Sequence, residues 1–136
     1  MPTIEKFLGL WTLQPEQADY EIGNPPQEGT YEITLLEDNK VNFGMAWVDQ
    51  AGQSHSQSYA EIADGRLHPH ENSAVADEIS LTLKSDTLLE SVARKDGIDI
   101  LTAERHLLAD DQMKVIMSGP LPQGGRYQNI SIYKKH

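Results

Sequence analysis

The 136-residue chain contains no cysteine. That absence excludes disulfides and thiolate metal sites and points to a cytoplasmic setting. Basic residues are scarce as well: 11 Lys and Arg face 21 Asp and Glu, for a formal net charge of −10. Nucleic-acid affinity rests largely on cations that neutralise phosphates, so this balance argues against a nucleic-acid partner and against an anionic membrane surface. No apolar run approaches the roughly 18 residues of a membrane span. The opening MPTIEKFL has neither a basic segment nor a cleavage site, so no secretory leader is expected. Catalytic signatures are missing too. The chain has no Gly-x-Ser-x-Gly elbow, no His-Glu-x-x-His and no phosphate loop.

Helical periodicity is confined to the start. Thr3 suits an N-cap, Ile4, Phe7 and Leu8 share one helical face, and Gly9 ends the segment. Residues 3–8 are therefore expected to form a short helix. Beyond Gly9, alternation with period 2 takes over. Val41, Phe43, Met45 and Trp47 fall on one face of a strand, as do Tyr31, Ile33 and Leu35, then Ile79, Leu81 and Leu83, then Met113, Val115 and Met117. Further strands are expected at 10–14, 54–62, 66–69, 87–94, 98–108 and 126–134. Turn chemistry separates them: Glu37-Asp38-Asn39-Lys40, Asp64-Gly65, Asp96-Gly97 and Asp110-Asp111. Residues 23–29 and 119–125 hold four of the seven prolines and read as loops, as do residues 70–77.

About ten strands at ten-residue spacing leave no room for crossover helices. The expected fold is all-β: a single domain over residues 1–136, an antiparallel up-and-down barrel of 8–10 strands with a short N-terminal helix. Closure removes the exposed edges of an open sheet. A two-sheet sandwich is the alternative. In the barrel, the helix plugs the base and Trp11 buries a large ring there, with Gly9 providing the sharp bend between them.

The segment Phe7, Gly9, Trp11 and Leu13, F-x-G-x-W-x-L, resembles the first strand of the calycins, the lipocalins and intracellular fatty-acid-binding proteins. ERHLLADDQMKVIMS is similar to the late hairpin of the second group, and ISIYKK resembles its final strand. The resemblance implies a cavity for a small hydrophobic molecule. It places Arg105 where that group contacts a ligand carboxylate and matches Tyr133 to its tyrosine. Ser131 stands where a second arginine belongs. The group's helix-turn-helix lid has no counterpart, because ADYEIGNPPQEG is too short and proline-rich for two helices.

The residues themselves give a parallel reading. Phe43, Met45, Trp47, Leu81, Leu83 and Met117 can line a cavity wall, or fill a packed core. The segment SHSQSYAEI is polar on both faces, with His55, Gln57, Tyr59 and Glu61 alternating against Ser54, Ser56 and Ser58. A dry core would leave such groups unsatisfied at about 1–3 kcal/mol each, so a wet or ligand-filled hollow is favoured. Arg105 alternates with Leu101, Ala103 and Leu107. If it faces inward it demands an anion, from a ligand or from Glu90 or Glu61. His68-Pro-His70, with Glu71 nearby, has metal-ligand spacing, but Pro69 suggests the strand is ending, no third ligand is fixed by spacing, and solvated loop histidines are the preferred reading. His55 or His106 could serve haem. Glu104 with His106, and Tyr59 with His55, are the acid/base pairs available to an enzyme. The function expected is carriage of a fatty-acid-like or aromatic ligand, with no cofactor, by a monomer or homodimer. Phe43, Met45, Trp47 and Met117 would form the apolar wall, and Arg105, Tyr133, Tyr59 and His55 the polar end. An enzyme, or a haem or metal binder, using the same cavity is the alternative.

Overall fold

The computed structural model describes residues 3–70, 76–109 and 111–135. The expected loop at 70–77 falls largely outside these residues, as do Glu71 and Asp110. Eleven strands form one antiparallel sheet: β1 (Gly9–Leu13), β2 (Asp19–Tyr20), β3 (Glu28–Leu35), β4 (Lys40–Val48), β5 (Ser54–Ile62), β6 (Leu67–Pro69), β7 (Glu78–Ser85), β8 (Leu88–Lys95), β9 (Ile98–Ala109), β10 (Gln112–Pro120) and β11 (Arg126–Lys135). Their order is β5-β4-β3-β1-β11-β10-β9-β8-β7-β6, with the two-residue β2 attached to β11. The chain is thus an up-and-down meander rolled into a nearly closed barrel. β1 joins the two ends of the chain by pairing with both β3 and β11.

Alternation sets the register. Phe43 stands opposite Ile33 on one side and Tyr59 on the other, and Tyr31 stands opposite Met45. These positions all face inward, and a slip of one residue would turn every one of them to solvent. Phe7, Trp11, Ile33, Val41, Phe43, Leu81, Leu89 and Met113 form a fully buried core in the base of the barrel.

The expected N-terminal helix is only a 3₁₀ turn, Glu5–Phe7, without a side-chain cap. Thr3 does not cap it; its backbone N–H donates instead to Asp86 Oδ1 at 2.8 Å. Leu8 is already extended and Gly9 bends at φ +134°, so the segment ends after a single turn. The turn still places Phe7 in the base, where its carbonyl accepts the Trp11 Nε1–H at 2.9 Å. Gly9 has φ +134°, and a Cβ there would lie 2.9 Å from Lys135 Cε. A side chain at this bend would meet backbone strain of about 1–3 kcal/mol and would have to displace the flexible end of Lys135.

Closure is incomplete. No ladder joins β5 to β6 or β7 among the described residues. One backbone bond, Gly65 N–H to Leu81 O at 2.9 Å, staples the turn after β5 to β7. Among the described residues, the rest of that boundary is an open seam. β5 ends the sheet there, and its first five residues are exposed. The polar character of SHSQSYAEI therefore reflects a strand at an edge as much as a polar hollow. No α-helix, and hence no helical lid, occurs among the described residues. Residues 119–120, expected in a loop, extend β10 to Pro120 opposite Arg126.

Candidate functional site: a hollow above a buried arginine

Across the barrel the inward side chains change character at one level, most sharply on β8 and β9. Below it they are large: Phe43, Leu81, Leu89 and Met113. Above it they shrink to Ser91, Ala93 and Ala103, which leaves a cavity of about 110 Å³. Met45, Met117, Tyr59, Leu101 and Ile79 complete most of its wall. Small residues at successive inward positions of β8 and β9 leave space that the neighbouring strands do not fill.

Arg105 forms the floor. It is 1% exposed, the one fully buried basic side chain among the described residues. Its Nε–H donates to Tyr31 Oη at 2.8 Å, one terminal nitrogen to Ser91 Oγ at 3.2 Å and the other to Tyr59 Oη at 3.1 Å. Its carbon lies 4.3 Å from the centre of the Phe43 ring, so the cation rests on an aromatic face. No carboxylate of the described residues comes within ion-pair distance. Glu90 pairs with Lys84 at 3.2 Å instead, and Glu61 is engaged elsewhere. Burial works against the charge on Arg105, but the Tyr31 and Tyr59 hydroxyls outweigh it and hold the group protonated. Burial pushes the Tyr31 hydroxyl up to about 12, partly offset by the adjacent guanidinium. It raises the Tyr133 hydroxyl as well.

A guanidinium has five N–H donors. Three are taken by neutral oxygens, which satisfy hydrogen bonds without neutralising charge. The site is therefore chemically suited to an anion arriving from the cavity side.

The other expected site residues are distributed around this centre. Met45, Tyr59, Met117 and Arg105 line the hollow. Phe43 lies beneath the guanidinium, in the core. Tyr133 packs edge-to-face behind Tyr31, with ring centroids 5.5 Å apart. Trp47 and His55 stand together at the rim, their rings stacked 5.4 Å apart. His55 bonds Asp49 at 2.8 Å, and that bond, with the Gln53 and Ala51 amides, holds the Asp49 carboxyl below its ordinary range. His55 and Tyr59 thus serve different neighbours and form no acid/base pair. Glu104 and His106 do bond, at 2.9 Å, but they flank Arg105 on the outward face of β9. His68 is held by Asp64 at 2.9 Å, while the His70 ring lies edge-on to Tyr59. No group of three or more side chains able to hold a metal gathers among the described residues. Ser131 shares a hydrogen bond with Tyr20 at 3.0 Å, a neutral pair where the resemblance places a second arginine.

Tyr31 and Ser91 were not singled out as site residues by sequence, and His70 entered only as a metal candidate, not as a wall of the hollow. Tyr31 and Ser91 sit on inward phases of their strands, yet nothing local marks them as partners of an arginine 74 and 14 residues away.

A lined hollow within a ten-strand antiparallel meander, with a tryptophan buried at its base, defines the class as a small up-and-down β-barrel with an interior cavity. No family profile and no curated protein sequence matches the chain. Solved structures match its fold over nearly its whole length. As-p18, an extracellular fatty acid binding protein, superposes with a TM-score of 0.63 at 14% identity, covering 100% of both chains. The fluorescent protein UnaG does so with a TM-score of 0.61 at 14% identity, over 98% of this chain and 100% of that one. A protein of unknown function from Nostoc punctiforme gives a TM-score of 0.66 at 13% identity, over 100% of this chain and 49% of that one. At such identities the likeness is one of fold.

Proposed function

We propose that this protein binds or carries a small amphipathic acid inside the barrel. The acid's anionic head meets Arg105, and Met45, Met117 and the alanines of β8 and β9 surround its apolar part. Tyr59 and Tyr31 orient the guanidinium. The observation that carries this reading is a buried, hydroxyl-held arginine with no carboxylate in reach among the described residues. An unpaired buried charge is costly, and a ligand carboxylate would relieve it through charge-assisted hydrogen bonds. The fatty acid binding protein among its structural neighbours supports the same class of ligand.

Calorimetric titration with butyrate, an acid short enough for the hollow, tests it. Arg105→Met keeps the side-chain length and removes the charge. A hydrogen bond to a charged group is worth about 1.5–3 kcal/mol, so affinity should fall roughly 10- to 150-fold. Equal binding by the variant, or none by the parent protein, would remove the basis for the proposal.

A further inference from the structure

The interior hollow holds about 110 Å³, whereas pockets that enclose whole small molecules span roughly 300–1,000 Å³. A ligand of more than a few carbons must extend out of it. A second space lies alongside. It is a groove of about 410 Å³ over the open seam, with Lys40, Ala60, Ile62 and His68 among its walls. Gln57, Tyr59 and His70 line both spaces. A single layer of side chains therefore separates them. Tyr59 comes from β5 and His70 from just beyond β6, and their rings meet edge-to-face 6.3 Å apart. No ladder crosses the seam here among the described residues. Parting these two side chains opens a passage without breaking strand pairing.

We infer that the seam groove is a second binding subsite, continuous with the hollow through Tyr59 and His70. It takes the body of the acid whose head lies at Arg105, and so rests on the reading above. It also narrows the ligand class. Passage between two rings admits an unbranched, flexible chain and excludes a rigid fused-ring body. The mixed groove wall suits a chain that stays partly in contact with water.

Straight-chain alkanoates from butyrate to decanoate, titrated calorimetrically, test the inference. Full burial of a methylene raises affinity roughly fourfold, and a half-open groove should give about twofold per carbon beyond butyrate. Ala60 lines the groove and not the hollow. Ala60→Trp should weaken decanoate binding at least ~5-fold and leave butyrate within ~2-fold, the butyrate result also showing that the variant is folded. Affinity that stops rising at butyrate, or decanoate binding unaffected by Ala60→Trp, would overturn the subsite. Loss of butyrate binding in the parent protein, or its persistence in Arg105→Met, would instead sink the carboxylate reading itself.

Discussion

Arg105 is surrounded by groups that satisfy it without cancelling its charge. Tyr31, Ser91 and Tyr59 accept its hydrogen bonds, and Phe43 offers a ring face. The consequence for Tyr31 is a proton held tightly. Its folded pKa is raised from 10 to about 12. Between those values the folded state keeps a proton that the unfolded state has released, so the stabilisation is complete below pH 10 and is lost as pH rises toward 12. Stability should fall by about 1 kcal/mol per pH unit in that window for this one group. Urea unfolding between pH 9 and 12 measures it, and Tyr31→Phe should flatten the slope. An unchanged slope in the variant would show that other groups govern alkaline unfolding.

At the scale of elements, the barrel has a strong side and a weak one. β9, β10 and β11 pair over long registers, broken only by one shift at Gln112/Met113. β5 pairs only with β4, and β6 is three residues long. Local opening follows missing hydrogen bonds, so β5 should be the least protected of the long strands. Amide exchange should run at least ~100-fold faster at its seam-facing positions than in β9 and β10, with Gly65 protected through its bond to Leu81. Uniform protection around the barrel would contradict an open seam. The same weakness is what the proposed lateral subsite relies on, because only side chains would have to move there.

For the whole molecule, charge and site oppose each other. The chain carries −10, while the floor of the proposed site is a cation enclosed by the barrel. The long-range field therefore repels an anionic ligand that the short-range site attracts. Salt screens the former more than the latter, since the Debye length falls from about 30 Å at 0.01 M to about 10 Å at 0.1 M. Association of an alkanoate should speed up severalfold over that range in stopped-flow experiments, with dissociation little changed. Slower association at higher salt would mean that the approach is lined by cations such as Lys40.

Sequence alone determined the long strands, because side chains alternate with period 2 along any half-buried strand whatever its partners, but not the two-residue β2, which is too short to show a period. It put Arg105 in phase with Leu101, Ala103 and Leu107 without deciding that this phase faces inward, and gave Gly9 and Trp11 their roles at the base, since a positive φ and a large buried ring are demands of the local chain. Only the tertiary structure decided where the barrel stays open and which level of it is hollow. It alone joined Tyr31, Ser91 and Tyr59 to one guanidinium. Those outcomes depend on strand order and on the summed volumes of side chains from six or more strands, quantities that no single stretch of sequence contains.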